Sequence, residues 1–136
     1  LLYAYGEATV PKITVTLRKS YGGAHIVMSC KQLRGDVNYA WPSANIAVMG
    51  ADGAVEILYS KELKAEGDPT KRTEIKEEKK KEYDELFCNP YYSAAFGYID
   101  DVIEPANTRF RIIRALVQLE NKKVEQPHRK HDNLPM

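Results

Sequence analysis

Tyr21-Gly22-Gly23-Ala24 follows a β-branched segment, Ile13-Thr-Val-Thr-Leu-Arg-Lys-Ser20, and an apolar stretch from His25 to Leu33 begins at once. Glycines between a strand and a helix let the backbone turn sharply and leave successive amide N–H groups uncovered. A helix N-terminus also carries partial positive charge. The amides of Gly23 and Ala24 are therefore suited to an oxygen on which negative charge develops. The alternative reading is a plain tight connection between strand and helix. His25, beside the turn, is either a general base or a wall of the site that bonds a backbone carbonyl. Asp100-Asp101 is a carboxylate pair of the kind used in acid–base chemistry. Neighbours on a strand point to opposite faces, so an ion pair with Arg109 or Arg111 is expected instead. Cys30, Cys88 and the three histidines lack metal-ligand spacing, and both cysteines are expected to be reduced, buried thiols.

The elements that must position these residues are legible in outline. Leu1, Leu2, Tyr5 and Ala8 fall at helical spacing, and the chain reads as part of a longer subunit. Ile13 to Leu17 alternates β-branched and polar residues, as a strand with one buried face does. A helix is expected from about Ala24 to Leu33, then a short strand or edge piece from Asn38 to Trp41, stopped by Pro42. Ile46 to Met49 reads as a buried strand, and Gly50 to Gly53 allow a second turn into a helix from Ala54 to Tyr59. Two strand–glycine–helix passages in succession point to parallel strands joined by crossovers.

Ser60 to Glu82 is dense in Lys and Glu, and Asp68-Pro69 makes a good helix start. Attractive and repulsive i,i+4 pairs nearly cancel along it, so the anchor is expected from Tyr83, Leu86 and Phe87. A short helix from Pro90 to Phe96, a strand from Tyr98 to Ile103 and a final helix capped by Asn107 complete the pattern. The apolar face of that last helix would be Ile112, Ile113, Leu116, Val117 and Leu119.

With 136 residues the chain amounts to one domain. Its formal net charge of +1, with acids and bases interleaved, argues against nucleic acid as a partner. No apolar run approaches the roughly 20 residues a membrane helix needs.

Further motifs stand in order along the chain: Tyr5-Gly-Glu-Ala-Thr-Val-Pro-Lys12, Leu33-Arg-Gly-Asp-Val-Asn-Tyr-Ala-Trp-Pro42 and Ile46-Ala-Val-Met-Gly-Ala-Asp-Gly-Ala-Val-Glu-Ile57. Asn89-Pro90, Gly97-Tyr-Ile-Asp-Asp-Val-Ile-Glu-Pro105 and Lys130-His-Asp-Asn-Leu-Pro-Met136 follow. Together with the Gly-Gly turn, this series resembles the C-terminal part of the carboxyltransferase (beta) subunits of biotin-dependent acyl-CoA carboxylases. Within that family the likeness is to the propionyl-CoA and methylmalonyl-CoA group.

The resemblance implies an α/β, crotonase-like ββα spiral. Residues 1–136 would be the C-terminal part of a carboxyltransferase domain, with a charged helical insert at 61–82 and an extended tail at 122–136. It implies that the amides of Gly23 and Ala24 hold the ureido oxygen of biotin, and that Gly22, Tyr39 and Trp41 complete the biotin site. Tyr39 and Trp41 are equally readable as core aromatics. Ile26 falls where the family lines its acyl pocket, plain helix packing being the alternative. Lys130 and His131 would meet CoA phosphates or another protomer.

The implied cofactor is biotin on a carrier protein, not attached to this chain, and the implied substrate is an acyl-CoA. The implied partners are a biotin carboxylase or carrier subunit, an N-terminal domain holding the thioester oxyanion hole, and further copies in a dimer-based hexamer. The chain alone would then be inactive. The implied compartment is the cytoplasm, or the mitochondrial matrix in a eukaryote. A decarboxylase subunit of a sodium pump, a non-catalytic assembly module and an acyl-CoA hydratase are the rival readings.

Overall fold

The β-branched segment forms two strands rather than one. The structure, a computed structural model, describes residues 1–125. Helix α1 (Leu2–Glu7) leads into strand β1 (Ile13–Thr16), and after Leu17-Arg18 a separate strand β2 (Lys19–Tyr21) feeds the glycine turn and helix α2 (Gly22–Val27). Strands β3 (Val37–Ala40) and β4 (Asn45–Ala47) then precede helix α3 (Ala51–Leu58). Helices α4 (Ser60–Ala65), α5 (Pro69–Phe87) and α6 (Pro90–Ala95) form an excursion before β5 (Asp101–Val102) and the last helix, α7 (Thr108–Gln118).

Strands β1, β3 and β5 make one parallel sheet in the order β1-β3-β5, while β2 and β4 make a second. Each pass of the chain lays one strand in each sheet and returns over a helix: β1–β2–α2, then β3–β4–α3. Ile13 sits opposite Val37, and Lys19 opposite Asn45. Parallel strands require such crossovers, and their repetition is the crotonase-like ββα spiral. The corners are stitched between passes: the Trp41 amide donates to Thr16 O (2.9 Å) and the Asn45 amide to Arg18 O (3.0 Å). Pro42 has no N–H to continue the ladder, so β3 ends there and the chain changes sheets.

Adjacent residues of β3 serve opposite sides of the sheet. Ala40 packs with Ala44, Ile46 and Ile99, whereas Tyr39 packs with Ile103 and Ala115. Asn38 to Trp41 is therefore not an edge piece: it supplies the middle strand, and Asn38, Tyr39 and Ala40 are all buried. Other boundaries also differ from expectation. The helix expected to reach Leu33 stops at Val27, because Ser29 takes a left-handed conformation (φ 66°) and a 3-10 turn occupies Lys31–Leu33. Val48 lies outside β4 and is exposed, and only Asp101 and Val102 of the expected 98–103 strand pair with β3. Asn107 takes the N-cap position of α7 without a side-chain cap. Of that helix only Ala115 is buried; Ile113, Leu116 and Val117 remain exposed.

The charged segment is helical, as its composition predicts. The Asp68 carboxylate accepts from the Thr70 amide at 2.9 Å and Pro69 opens α5, but no residue of this helix is buried. It lies on α3 through Lys76–Glu56 (2.7 Å) and Lys80–Asp52 (3.0 Å), exposed pairs of a kind that contribute little. Its far end is held by aromatic contacts of Tyr83 and Phe87, while Leu86 is exposed. Lys122, the first tail residue, bonds within the chain: it pairs with Asp36 (2.7 Å) and donates to Val10 O (2.9 Å). Asp36 also accepts from the Lys12 amide at 2.7 Å, which ties the end of α7 to the start of β1. The Lys130–Met136 motif, including Lys130 and His131, lies outside the described residues.

Candidate functional site

The Gly-Gly turn sits where β2 ends. Tyr21 is extended (φ −118°, ψ 138°), and Gly22 turns into the left-handed region at φ +51°. Tyr21 lies opposite Ala47 in the register of β2 and β4, so the backbone just past β4 runs beside the turn. A Cβ on Gly22 would lie 2.9 Å from the carbonyl oxygen of Val48. Conformation and space thus demand glycine independently at this position. Helix α2 starts at once, and no side chain caps it. The amides of Gly23 and Ala24, in its first turn, have no acceptor within the helix. Both residues are exposed.

A cavity of ≈ 450 Å³ opens beside this turn. Gly22 and His25 form one side, and Ile46 of β4 and Val48 just past it continue it. Leu58 of α3 and an aromatic wall close the other side. The wall's rings, Tyr83, Phe87, Tyr92 and Tyr98, belong to a run of neighbours in which Phe96 links the last two from outside the lining: Tyr83–Phe87 at 5.1 Å, Phe87–Tyr92 at 5.3 Å, Tyr92–Phe96 at 5.0 Å and Phe96–Tyr98 at 6.1 Å between centroids. Such edge and tilted arrangements are the preferred geometries of aromatic pairs. The cavity is therefore predominantly apolar, with Gly22 and the His25 imidazole at one side; Gly23 and Ala24, between them in the chain, are exposed and do not themselves line it.

His25 Nδ1 lies 3.0 Å from Ser20 Oγ, so the imidazole has a hydroxyl partner where a backbone carbonyl was expected. Burial disfavours the charged ring and holds its pKa below the ordinary histidine value. That favours the neutral imidazole.

The structure brings Gly22, Gly23, Ala24 and His25 together at the turn and separates them from the other candidates. Ile26 is exposed on α2 and does not line the cavity. Tyr39 and Trp41 belong to the other sheet: Tyr39 is 8% exposed in the cluster with Ile103 and Ala115, and Trp41 packs against it. The Trp41 Nε1–H donates to Thr108 Oγ1 at 2.8 Å, which anchors α7. Neither aromatic lines the cavity beside the glycine turn. Asp100 accepts from the Asn38 amide (2.7 Å) and pairs with Lys31 (2.7 Å), while Asp101 pairs with Arg111 (2.6 Å). The two carboxylates are thus spent on separate ion pairs, one of them with Arg111, the second of the two arginines expected. Cys30 and Cys88 are both buried and unbridged.

Sequence reasoning missed the far wall. Tyr83, Phe87, Tyr92 and Tyr98 recur every four to six residues, a signal of a shared face, but they lie 60 or more residues from the glycines. Among the described residues no group of three His, Cys, Asp or Glu side chains could hold a metal ion. No helix among them is long and apolar enough to cross a membrane.

Residues 1–134 match the carboxyl transferase domain family. The chain is 56% identical over 136 residues to the propionyl-CoA carboxylase beta chain of Cereibacter sphaeroides, an alignment covering 100% of this chain and 25% of the relative. It is 51% identical over 135 residues to the methylmalonyl-CoA carboxyltransferase 12S subunit of Propionibacterium freudenreichii subsp. shermanii, covering 99% and 25% respectively. A solved transcarboxylase 12S hexamer, with methylmalonyl-CoA and methylmalonic acid bound, superposes with a TM-score of 0.89 at 51% identity. That superposition covers 99% of this chain and 25% of the solved one. The chain thus spans about a quarter of the length of the curated relatives it matches. By its ββα spiral, its glycine turn and a match that runs through nearly every residue, the chain belongs to the carboxyl transferase domain family.

Proposed function

We propose that this chain supplies the biotin side of a carboxyltransferase site that works between biotin and a short-chain acyl-CoA of the propionyl-CoA or methylmalonyl-CoA type. One observation carries the reading: two consecutive uncapped amides, Gly23 and Ala24, stand at a glycine-dependent turn beside an apolar cavity. A biotin head is an uncharged bicyclic ring with one urea oxygen. Apolar walls around ≈ 450 Å³, with fixed amide donors on the exposed residues between the lining residues Gly22 and His25, fit that chemistry. Biotin, when bound, supplies the ring nitrogen that carries the carboxyl group.

The chain's own contribution is electrostatic. The first turn of α2 holds its amides in place before any reaction, so no reorganisation is needed when the urea oxygen gains charge. One such donor is worth about 10²–10³ in rate. The same donors stabilise the same transition state in both directions, and the geometry serves carboxylation and decarboxylation alike. Ile26, exposed one turn along α2 from Gly22 and Gly23, would meet the acyl chain on a surface completed by another part of the assembly.

The rest of the machinery lies elsewhere in this reading. The thioester oxyanion hole belongs to an N-terminal domain, the biotin arrives on a carrier protein or biotin carboxylase subunit, and the subunits form a dimer-based hexamer. The compartment is the cytoplasm, or the mitochondrial matrix in a eukaryote.

Ala24→Pro in the assembled subunit tests the reading. Proline removes one N–H yet is tolerated in a helix's first turn. Carboxyl transfer should fall by about 10² or more while acyl-CoA binding survives. Unimpaired turnover in a variant with wild-type circular dichroism would refute the role.

A further inference from the structure

Ser20 and His25 form a polar pair at the edge of an apolar cavity. His25 lines that cavity and Ser20 does not, although their side chains meet at 3.0 Å. Ser20 faces a different cavity, lined by β1 and β2, so anything its hydroxyl does to a ligand in the first cavity passes through the imidazole. That placement sets the pair apart from a serine nucleophile with a histidine base, which needs the hydroxyl at the substrate.

The bonding partners within the chain favour one tautomer. If Nδ1 carried the proton, Ser20 would accept and its own hydroxyl hydrogen would need a second acceptor; among the described residues Ser20 Oγ has no other partner. With the hydroxyl donating, Nδ1 is the acceptor and the ring proton sits on Nε2. Among the described residues Nε2 has no partner of its own. The lowered pKa of the half-buried ring agrees with a neutral imidazole in this arrangement.

We propose that Ser20 is a positioning residue that holds His25 in the Nε2–H tautomer, and that His25 offers this N–H to an acceptor oxygen of the ligand in the cavity. This rests on the proposed function for the identity of the oxygen, the biotin urea or the carboxyl group it carries. A neutral donor suits an oxygen that gains charge only as reaction proceeds, because it gives the uncharged ground state little. His25 is thereby a third donor, next in sequence to the amides of Gly23 and Ala24.

Solid-state 15N NMR of the assembled subunit with labelled histidine reads the tautomer directly, and His25→Gln identifies the resonance by its loss. The expected spectrum shows His25 with a protonated Nε2 and an unprotonated, hydrogen-bonded Nδ1. Ser20→Ala should convert it into a mixture of tautomers. An Nδ1–H form in the wild type, or no change in Ser20→Ala, overturns the positioning role. Free biotin at saturating concentration should shift the Nε2 resonance. In carboxyl transfer to free biotin, His25→Phe should lower kcat about tenfold, the size of one neutral hydrogen bond. The KM for acyl-CoA should stay within about twofold, and His25→Gln, which keeps an N–H donor, should recover most of the rate. A silent Nε2 resonance together with a fully active His25→Phe variant overturns the donor role and leaves the proposed function intact. A biotin-induced shift in a subunit without carboxyl transfer supports the donor role and refutes the proposed function.

Discussion

Alanine at Gly22 and alanine at Gly23 should have opposite effects on stability, although the two residues are adjacent. At Gly22 the backbone lies at φ +51°, where an L-residue costs about 1–2 kcal/mol. The added Cβ would also meet Val48 O at 2.9 Å, closer than real Cβ contacts come, so the end of β4 must move. The two effects together should destabilise Gly22→Ala by about 2–3 kcal/mol. At Gly23 the backbone is helical and a Cβ finds no atom within 4 Å. There alanine loses less entropy on folding and should stabilise by about 0.5 kcal/mol. Trp41 is the single tryptophan and is partly buried against Tyr39, so its fluorescence reports unfolding in urea. The Gly22→Ala midpoint should drop by about 1–2 M, and that of Gly23→Ala should stay level or rise. Equal damage at both positions, or a Gly22→Ala variant as stable as the wild type, would refute the reasoning.

Two further outcomes follow from charge and burial. Burial alone would push the Asp36 carboxyl up, but the hydrogen bonds from Lys122 and the Lys12 amide, with the charges of both lysines, outweigh it and hold the pKa below the ordinary value. A depressed carboxylate contributes stability above its unfolded pKa that is lost as pH falls through the folded one. The Lys122 and Asp36 side chains are only 13% and 17% exposed, so screening is weak. Asp36→Ala should therefore cost about 2 kcal/mol at pH 7, and the gap to wild type should close below about pH 4, as denaturation at pH 7 and pH 3 would show. Burial, with Asp84 beside it, pushes the Cys88 thiol from 9.0 to about 11. At pH 8 its thiolate should be about 100-fold scarcer than that of an ordinary thiol, and alkylation by iodoacetamide, followed by mass spectrometry, correspondingly slow. Reaction at the free-thiol rate would contradict this environment.

Local chemistry made part of the fold legible. Asp68-Pro69 announced the start of α5, and the β-branched alternation at Ile13 announced β1, because both signals arise within a few residues. Strand β2 was hidden because Lys19-Ser20-Tyr21 has no apolar alternation and exists through pairing with β4, 26 residues away. The short strand expected at Asn38 is there as β3, but its sequence cannot tell a middle strand from an edge piece, since Asn38 and Pro42 suggest a margin. Its central place depends on β5, more than 60 residues later. The glycine turn was readable, yet the cavity in front of it was not: its far wall comes from α5 and α6, whose aromatics look like helix anchors in isolation. Tyr39 and Trp41 show the converse: local sequence leaves them open between a ligand contact and the core, and the three-stranded sheet places them in its core cluster.

The measurement closest to the central claim is a structure of the assembled subunit with a biotin ligand bound. The urea oxygen should lie within about 3.2 Å of the backbone nitrogens of Gly23 and Ala24, with the ring in the aromatic-walled cavity. A urea oxygen held elsewhere, with those two nitrogens bonded to protein groups, would contradict the account.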